Sequence, residues 1–193
     1  PDGEAVLSGG RDGCLVLSQA GRELRRWTFG SAVVHWAEHV EDLTYLVASD
    51  EGRVIRVDLG SDDPPRYGRR FALDDMEYVA YNRTSRRAFA TSFDRRVHEV
   101  DPETGDSVGV AFVPGYKTLW AHSLERDPSV LLVQSSNGGL YKADVDTGER
   151  LALVKETPDA LWSGVALGGG DLLLAGEGDR LVRLCYRSTD PIS

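Results

Sequence analysis

Four segments of this chain can be written one under another without a gap, and that repeat constrains the fold more than any other feature. They are Ala48–Asp58, Thr91–Asp101, Gln134–Asp144 and Ala175–Cys185. Measured from Ser49 to Ser92, Ser135 and Gly176, the steps are 43, 43 and 41 residues. A weaker fifth copy, Leu7–Leu17, precedes them. A period of this length marks one supersecondary unit stacked on copies of itself.

Each copy reads as a β-hairpin. An apolar run such as Tyr45–Ala48, Ala88–Ala90 or Val130–Val133 makes one strand. A turn of Gly, Asp or Asn follows, because those residues tolerate the positive φ of a tight hairpin. Asp12-Gly13 and Asn137-Gly138 are the strongest cases. A β-branched strand returns and ends at a second turn: Asp58-Leu59-Gly60, Asp101–Gly105 or Asp144–Gly148. There Asp and Thr side chains can accept from backbone N–H groups ahead of them, and Gly takes the left-handed position. A further strand follows, Ser107–Phe112 or Arg150–Val154. Between copies lies one more strand, marked by Trp36-Ala37, Val79-Ala80, Trp120-Ala121 and Trp162-Ser163. A bulky residue before a small one suits an innermost strand, with Trp36, Trp120 and Trp162 wedged between sheets. Four strands per repeat and no helical segment predict an all-β fold, a β-propeller of four-stranded antiparallel blades.

The pattern resembles the propeller superfamily of WD40-like, YVTN-like and quinoprotein-like repeats over essentially the whole chain. The turns Asp101–Gly105 and Asp144–Gly148 look like those between the third and outer strands of such blades, and Ser49–Asp58 looks like a WD40 hairpin. The opening Gly-His pair of a WD40 blade is absent. Val57, Val100 and Ala143 stand where its Trp precedes the terminal Asp. The resemblance implies a scaffold that holds other proteins, but not the Asp–His–Ser–Trp network of that family.

Strand counting gives about five blades or blade parts in one domain over 1–193: 1–30 (partial), 32–73, 76–113, 117–157 and 161–187 (partial). The first is expected to lack its innermost strand and the last its outer strand. The chain therefore reads as a segment of a seven- or eight-bladed ring, the remaining blades coming from the same or another chain. Its only methionine is Met76 and it begins Pro1-Asp2-Gly3, so a processed chain or a piece of something longer is expected.

Net charge is −9 at pH 7, which repels phosphate backbones and anionic membranes. Nucleic-acid and membrane partners are therefore not expected, and no apolar run approaches the roughly 20 residues of a spanning helix. Cys14 and Cys185 have no metal-type spacing and read as free thiols in a reducing, cytoplasmic setting.

No catalytic set, metal site or cofactor is expected. His35 and His39 fall on one face of a strand about 13 Å apart, too far for one ion. His98 and His122 read as structural histidines. Asp62-Asp63 and Asp74-Asp75 read as loop charges between blades, Gly168-Gly169-Gly170 as a hairpin turn, and Asn82-Arg83-Thr84 as a sequon relevant only to a secreted protein. Innermost strands offer Glu38, Glu77 and His122 to a channel, a thin basis for the alternative of a quinoprotein-like or lactonase-like enzyme or small-ligand binder. The most suggestive feature is a concentration of arginine. Arg66, Arg69, Arg70, Arg83, Arg86 and Arg87 interleave with Tyr67, Tyr78 and Tyr81 in an otherwise acidic chain. The guanidinium fork suits carboxylates, so these residues are the expected docking site for an acidic protein partner. The expected function is a non-catalytic interaction module of a larger regulatory or multi-subunit protein.

Overall fold

The computed structural model describes residues 4–156, 161–167, 171–176 and 181–185, and every regular element among them is a β-strand. The strands form five antiparallel sheets in which chain neighbours pair. The first holds β1 (Ala5–Gly9), β2 (Cys14–Gln19) and β3 (Arg22–Thr28). The second holds β4 (Val34–His39), β5 (Thr44–Ser49), β6 (Val54–Asp58) and the two-residue β7 (Arg66–Tyr67). The third holds β8 (Met76–Asn82), β9 (Arg87–Ser92), β10 (Val97–Val100) and β11 (Ser107–Phe112). The fourth holds β12 (Thr118–Leu124), β13 (Asp127–Ser135), β14 (Gly139–Asp144) and β15 (Arg150–Glu156). The fifth holds β16 (Leu161–Ala166), β17 (Asp171–Gly176) and β18 (Leu181–Cys185). This is a propeller arrangement of three four-stranded and two three-stranded blades. The expected glycine turn at 168–170 and the end of the last blade at 186–187 lie outside the described residues.

The apolar runs are continuous rather than alternating because their strands are covered on both faces. In β5, Leu46 and Ala48 pack toward the third sheet with Met76, Val79 and Ala90, while Val47 packs toward the first with Leu15, Trp27 and Ile55. Phe89 of β9 faces Leu131 and Val133 of the fourth sheet, and Leu132 between those two turns to Leu172 and Leu174 of the fifth. Four apolar layers thus hold five sheets face to face. Each fully buried Leu, Phe or Met contributes about 2–3 kcal/mol.

The turns form as their residues dictate. The Asp101 carboxylate accepts from Glu103 N–H at 2.8 Å, and the Asp144 carboxylate accepts from Asp146 and Thr147 N–H at 2.9 and 3.0 Å. Gly105 and Gly148 take φ of 76° and 73°. In the hairpin between second and third strands, Gly52, Gly138 and Gly13 are left-handed, and Arg95 takes that position in the third sheet with φ of 72°.

Two alignments read from sequence are corrected by the pairing. In the first sheet Gly9 opposes Leu15, as Ala48 opposes Val54 in the second. The equivalent of Ser49 is therefore Gly10, not Ser8. A two-residue slip keeps every side chain on its own face, so the apolar pattern cannot reveal it. The innermost strands each carry a bulge, at His35, Glu77, Leu119 and Trp162. Trp36, Tyr78, Trp120 and Ser163 follow those bulges and are the true equivalents. Trp120 is core as expected, with 1% of its surface exposed, whereas Trp162 is a bulge residue with 47% exposed.

Candidate functional site

Innermost strands β4, β8 and β12 run side by side, so repeat-equivalent residues Glu38, Ala80 and His122 line one cleft. Tyr78, Tyr81, Arg83, Ala121, Ser123 and Glu125 complete it, with a cavity of about 170 Å³. Beneath it the Trp36 ring stacks on Tyr78 at 4.3 Å, Tyr78 meets Trp120 edge-on at 6.1 Å, and Trp120 lies parallel to His122 at 5.9 Å. Trp36 Nε1–H donates to Glu38 Oε2 at 3.1 Å. Burial still pushes the Glu38 carboxyl up to about 7, against the pull of that bond and of the Arg83 charge. Burial likewise lowers the His122 imidazole, opposed by Glu125. Ala80 between them opens space that a larger residue would fill.

Asn82, at the end of β8, anchors the rim. It is fully buried and donates to Ser123 Oγ at 2.9 Å and Leu124 O at 3.1 Å, while its Oδ1 accepts from Ser85 N–H at 2.9 Å. The sequon asparagine therefore has no free amide in the folded chain. The Glu125 carboxylate accepts from Arg83 N–H, Thr84 N–H and Thr84 Oγ1. Burial alone would raise this carboxyl; those bonds lower it on balance.

The six arginines separate into two groups. Arg83 reaches His39 Nδ1 at 3.1 Å and the His39 carbonyl at 3.3 Å, and Arg86 pairs with Glu41 at 3.2 Å. Arg87 grips Glu99 with Nε at 2.7 Å and Nη2 at 3.0 Å, and reaches Asp146 of the fourth sheet at 2.6 Å. Those three tie the β8–β9 hairpin to both neighbouring sheets. Arg66, Arg69 and Arg70 lie elsewhere, on β7 and the loop after it, all exposed. No carboxylate pairs with their guanidinium groups among the described residues. The Arg69 N–H donates to Asp106 at 2.6 Å and holds that loop in place. Tyr67 stands among them, 47% exposed.

His98 is a satisfied structural residue, buried, with Nε2 at 3.0 Å from the Asp94 carboxylate and its ring against Phe71. Cys14 is a free thiol; the Cys185 side chain lies outside the described residues. Asp62-Asp63 sit between β6 and β7, within one sheet rather than between blades, and Asp62 pairs with Arg25 at 3.4 Å. Glu77 does not join Glu38 and His122. It lies at the opposite end of the inner strands, 3.6 Å from His35. The Trp36–Trp120 alignment already sets Glu38 level with His122; what the sequence did not announce is the bulge that takes Glu77 away from them.

The sequence matches no protein-family model and no curated protein. Its structure is similar to a chain of the crystal structure titled "Crystal Structure of Mitotic Checkpoint Complex", at 12% identity and a TM-score of 0.78. The likeness covers 97% of this chain and spans 59% of the length of that one. No helix among the described residues is long and apolar enough to cross a membrane. With five antiparallel sheets repeating in order and that likeness across nearly its whole length, the chain is a β-propeller-repeat protein.

Proposed function

We propose that this chain is a non-catalytic protein-interaction module of a larger assembly, and that the outer edge of its second sheet docks an acidic protein segment. One observation carries the proposal: Arg66, Arg69 and Arg70 are exposed around Tyr67 without a carboxylate partner among the described residues, while Arg86 and Arg87 are paired with carboxylates of the fold and Arg83 is bonded to His39. An unpaired guanidinium cluster on an acidic chain favours an acidic ligand. The net charge of −9 opposes nucleic acid. The free Cys14 fits a reducing cytoplasmic setting, and the structural neighbour belongs to a complex. Further blades, from the same or another chain, complete the ring in this reading, since among the described strands none pairs with the edge of β1 where β5, β9 and β13 pair with an inner strand.

The test is fluorescence anisotropy of a labelled Glu/Asp-rich peptide. Charge reversal at Arg66, Arg69 and Arg70 is expected to weaken binding at least about tenfold, and added salt to weaken it further. Unchanged affinity in the triple variant overturns the proposal.

A second reading, small-ligand or acid–base chemistry in the inner cleft, rests on Glu38 poised near neutrality beside His122. Ester and lactone hydrolysis by the wild type no faster than by Glu38→Gln would remove it.

A further inference from the structure

The bulges of β4 and β8 do more than bend their strands. A bulge re-aims a side chain, and these two aim His35 and Glu77 across the seam between the second and third sheets, where Asp75 joins them. One ligand atom from each of the three side chains lies within 4.8 Å of the others. All three residues are partly buried, the Glu77 side chain only 15% exposed. The closest contact is His35 Nδ1 to Glu77 Oε2 at 3.6 Å, longer than a hydrogen bond. Among the described residues no hydrogen-bond donor reaches either carboxylate, although Asp75 itself is fixed through its backbone. Its N–H donates to Asp74 Oδ1 at 3.0 Å and its carbonyl accepts from Phe93 N–H at 2.9 Å. The equivalent bulges of the fourth and fifth sheets carry Leu119 and Trp162, which offer no ligand atom, so the donor set belongs to this seam alone among the described sheets.

We propose that His35, Asp75 and Glu77 bind one divalent transition-metal ion that clasps β4 to β8. One imidazole nitrogen and two carboxylate oxygens, with positions left for water, match the three-ligand sites of Zn²⁺ and suit Mn²⁺. Ca²⁺ prefers six to eight oxygens, which this set does not provide. The surrounding charge is net negative: Asp74, Asp75 and Glu77 outnumber the one lysine that acts on them, Lys117, whose ammonium rests over the Phe93 ring at 4.2 Å. Atoms within 4.8 Å close onto an ion by small side-chain rotations, since the backbone of each ligand is already held in or beside an inner strand.

The experiment is calorimetric titration of the chelator-treated chain with Zn²⁺, and separately with Mn²⁺ and Ca²⁺. One equivalent of Zn²⁺ is expected, with binding weakened at least about tenfold in His35→Ala and in Glu77→Gln, and unchanged in His122→Ala. Thermal unfolding of the wild type provides a readout independent of the variants, its midpoint rising with Zn²⁺ and returning on chelation. Circular dichroism confirms that each variant is folded. Co²⁺ should give a visible absorption band that both ligand variants lose. Absence of saturable binding, or binding that both ligand variants retain, overturns the site; the second outcome means adventitious coordination elsewhere on the surface.

Discussion

The second and third sheets are built from the same repeat yet spend their arginines in opposite ways. In the third sheet the β8–β9 hairpin is a hub: Asn82, Arg83, Arg86 and Arg87 all bond residues of flanking sheets. In the second sheet the outer edge, β7 and its following loop, leaves Arg66, Arg69 and Arg70 exposed. The difference teaches that residue type does not assign a role. A guanidinium held by carboxylates on its own chain serves stability, and one left unpaired at an edge is available to a partner.

That contrast can be broken at its strongest point. Asn82→Ala strands the Ser85 N–H and the Leu124 carbonyl in a buried rim, and should destabilise the chain by about 3–4 kcal/mol in urea unfolding. A loss below about 1 kcal/mol would mean that the hairpin is not the hub.

Next in size is a pH effect under the same hairpin. The Glu38 carboxyl is raised from 4.5 to about 7 by burial, so the folded chain holds a proton there that the unfolded chain releases. Stability then falls as pH climbs from about 4.5 to 7 and levels above, by about 3 kcal/mol in all. Burial raises Glu77 in the same direction; Glu38→Gln isolates the first contribution by flattening only its share of the slope in denaturation series at pH 5 and 8.

Arg87→Met removes the bonds to Glu99 and Asp146 together with the guanidinium that lies over the Phe89 ring at 5.2 Å. The Arg87–Glu99 pair is only partly buried and Asp146 is largely exposed, so a loss of about 1–2 kcal/mol is expected. The charge reversals at Arg66, Arg69 and Arg70, in contrast, should move stability by less than about 0.5 kcal/mol while abolishing acidic-peptide binding. Equal destabilisation by both sets would erase the distinction between the sheets.

Between those lies a difference in turn chemistry. The left-handed residue is Gly52 in the second sheet and Arg95 in the third. A Cβ on Gly52 would sit 2.5 Å from the Ala72 carbonyl oxygen, so only glycine fits there. Arg95→Gly should stabilise the third sheet by about 1 kcal/mol, read as a higher unfolding midpoint.

The sequence by itself determined what is local. A left-handed turn residue, an Asx turn or an apolar run acts within a few residues, so the hairpins, the Asp101–Gly105 and Asp144–Gly148 turns and the propeller repeat were all legible, as was the structural role of His98. Tertiary structure decided everything that depends on register across a seam. A period of two cannot distinguish a two-residue slip, which hid the place of Gly10, nor announce a bulge, which displaced Trp162 from the core and put Tyr78 in the position assigned to Val79. The arginine cluster was visible as composition, but the carboxylates that pair with Arg86 and Arg87 come from Glu41, Glu99 and Asp146, up to 59 residues away. The partners His35 meets are Asp75 and Glu77, brought to it by stacking one sheet on the next.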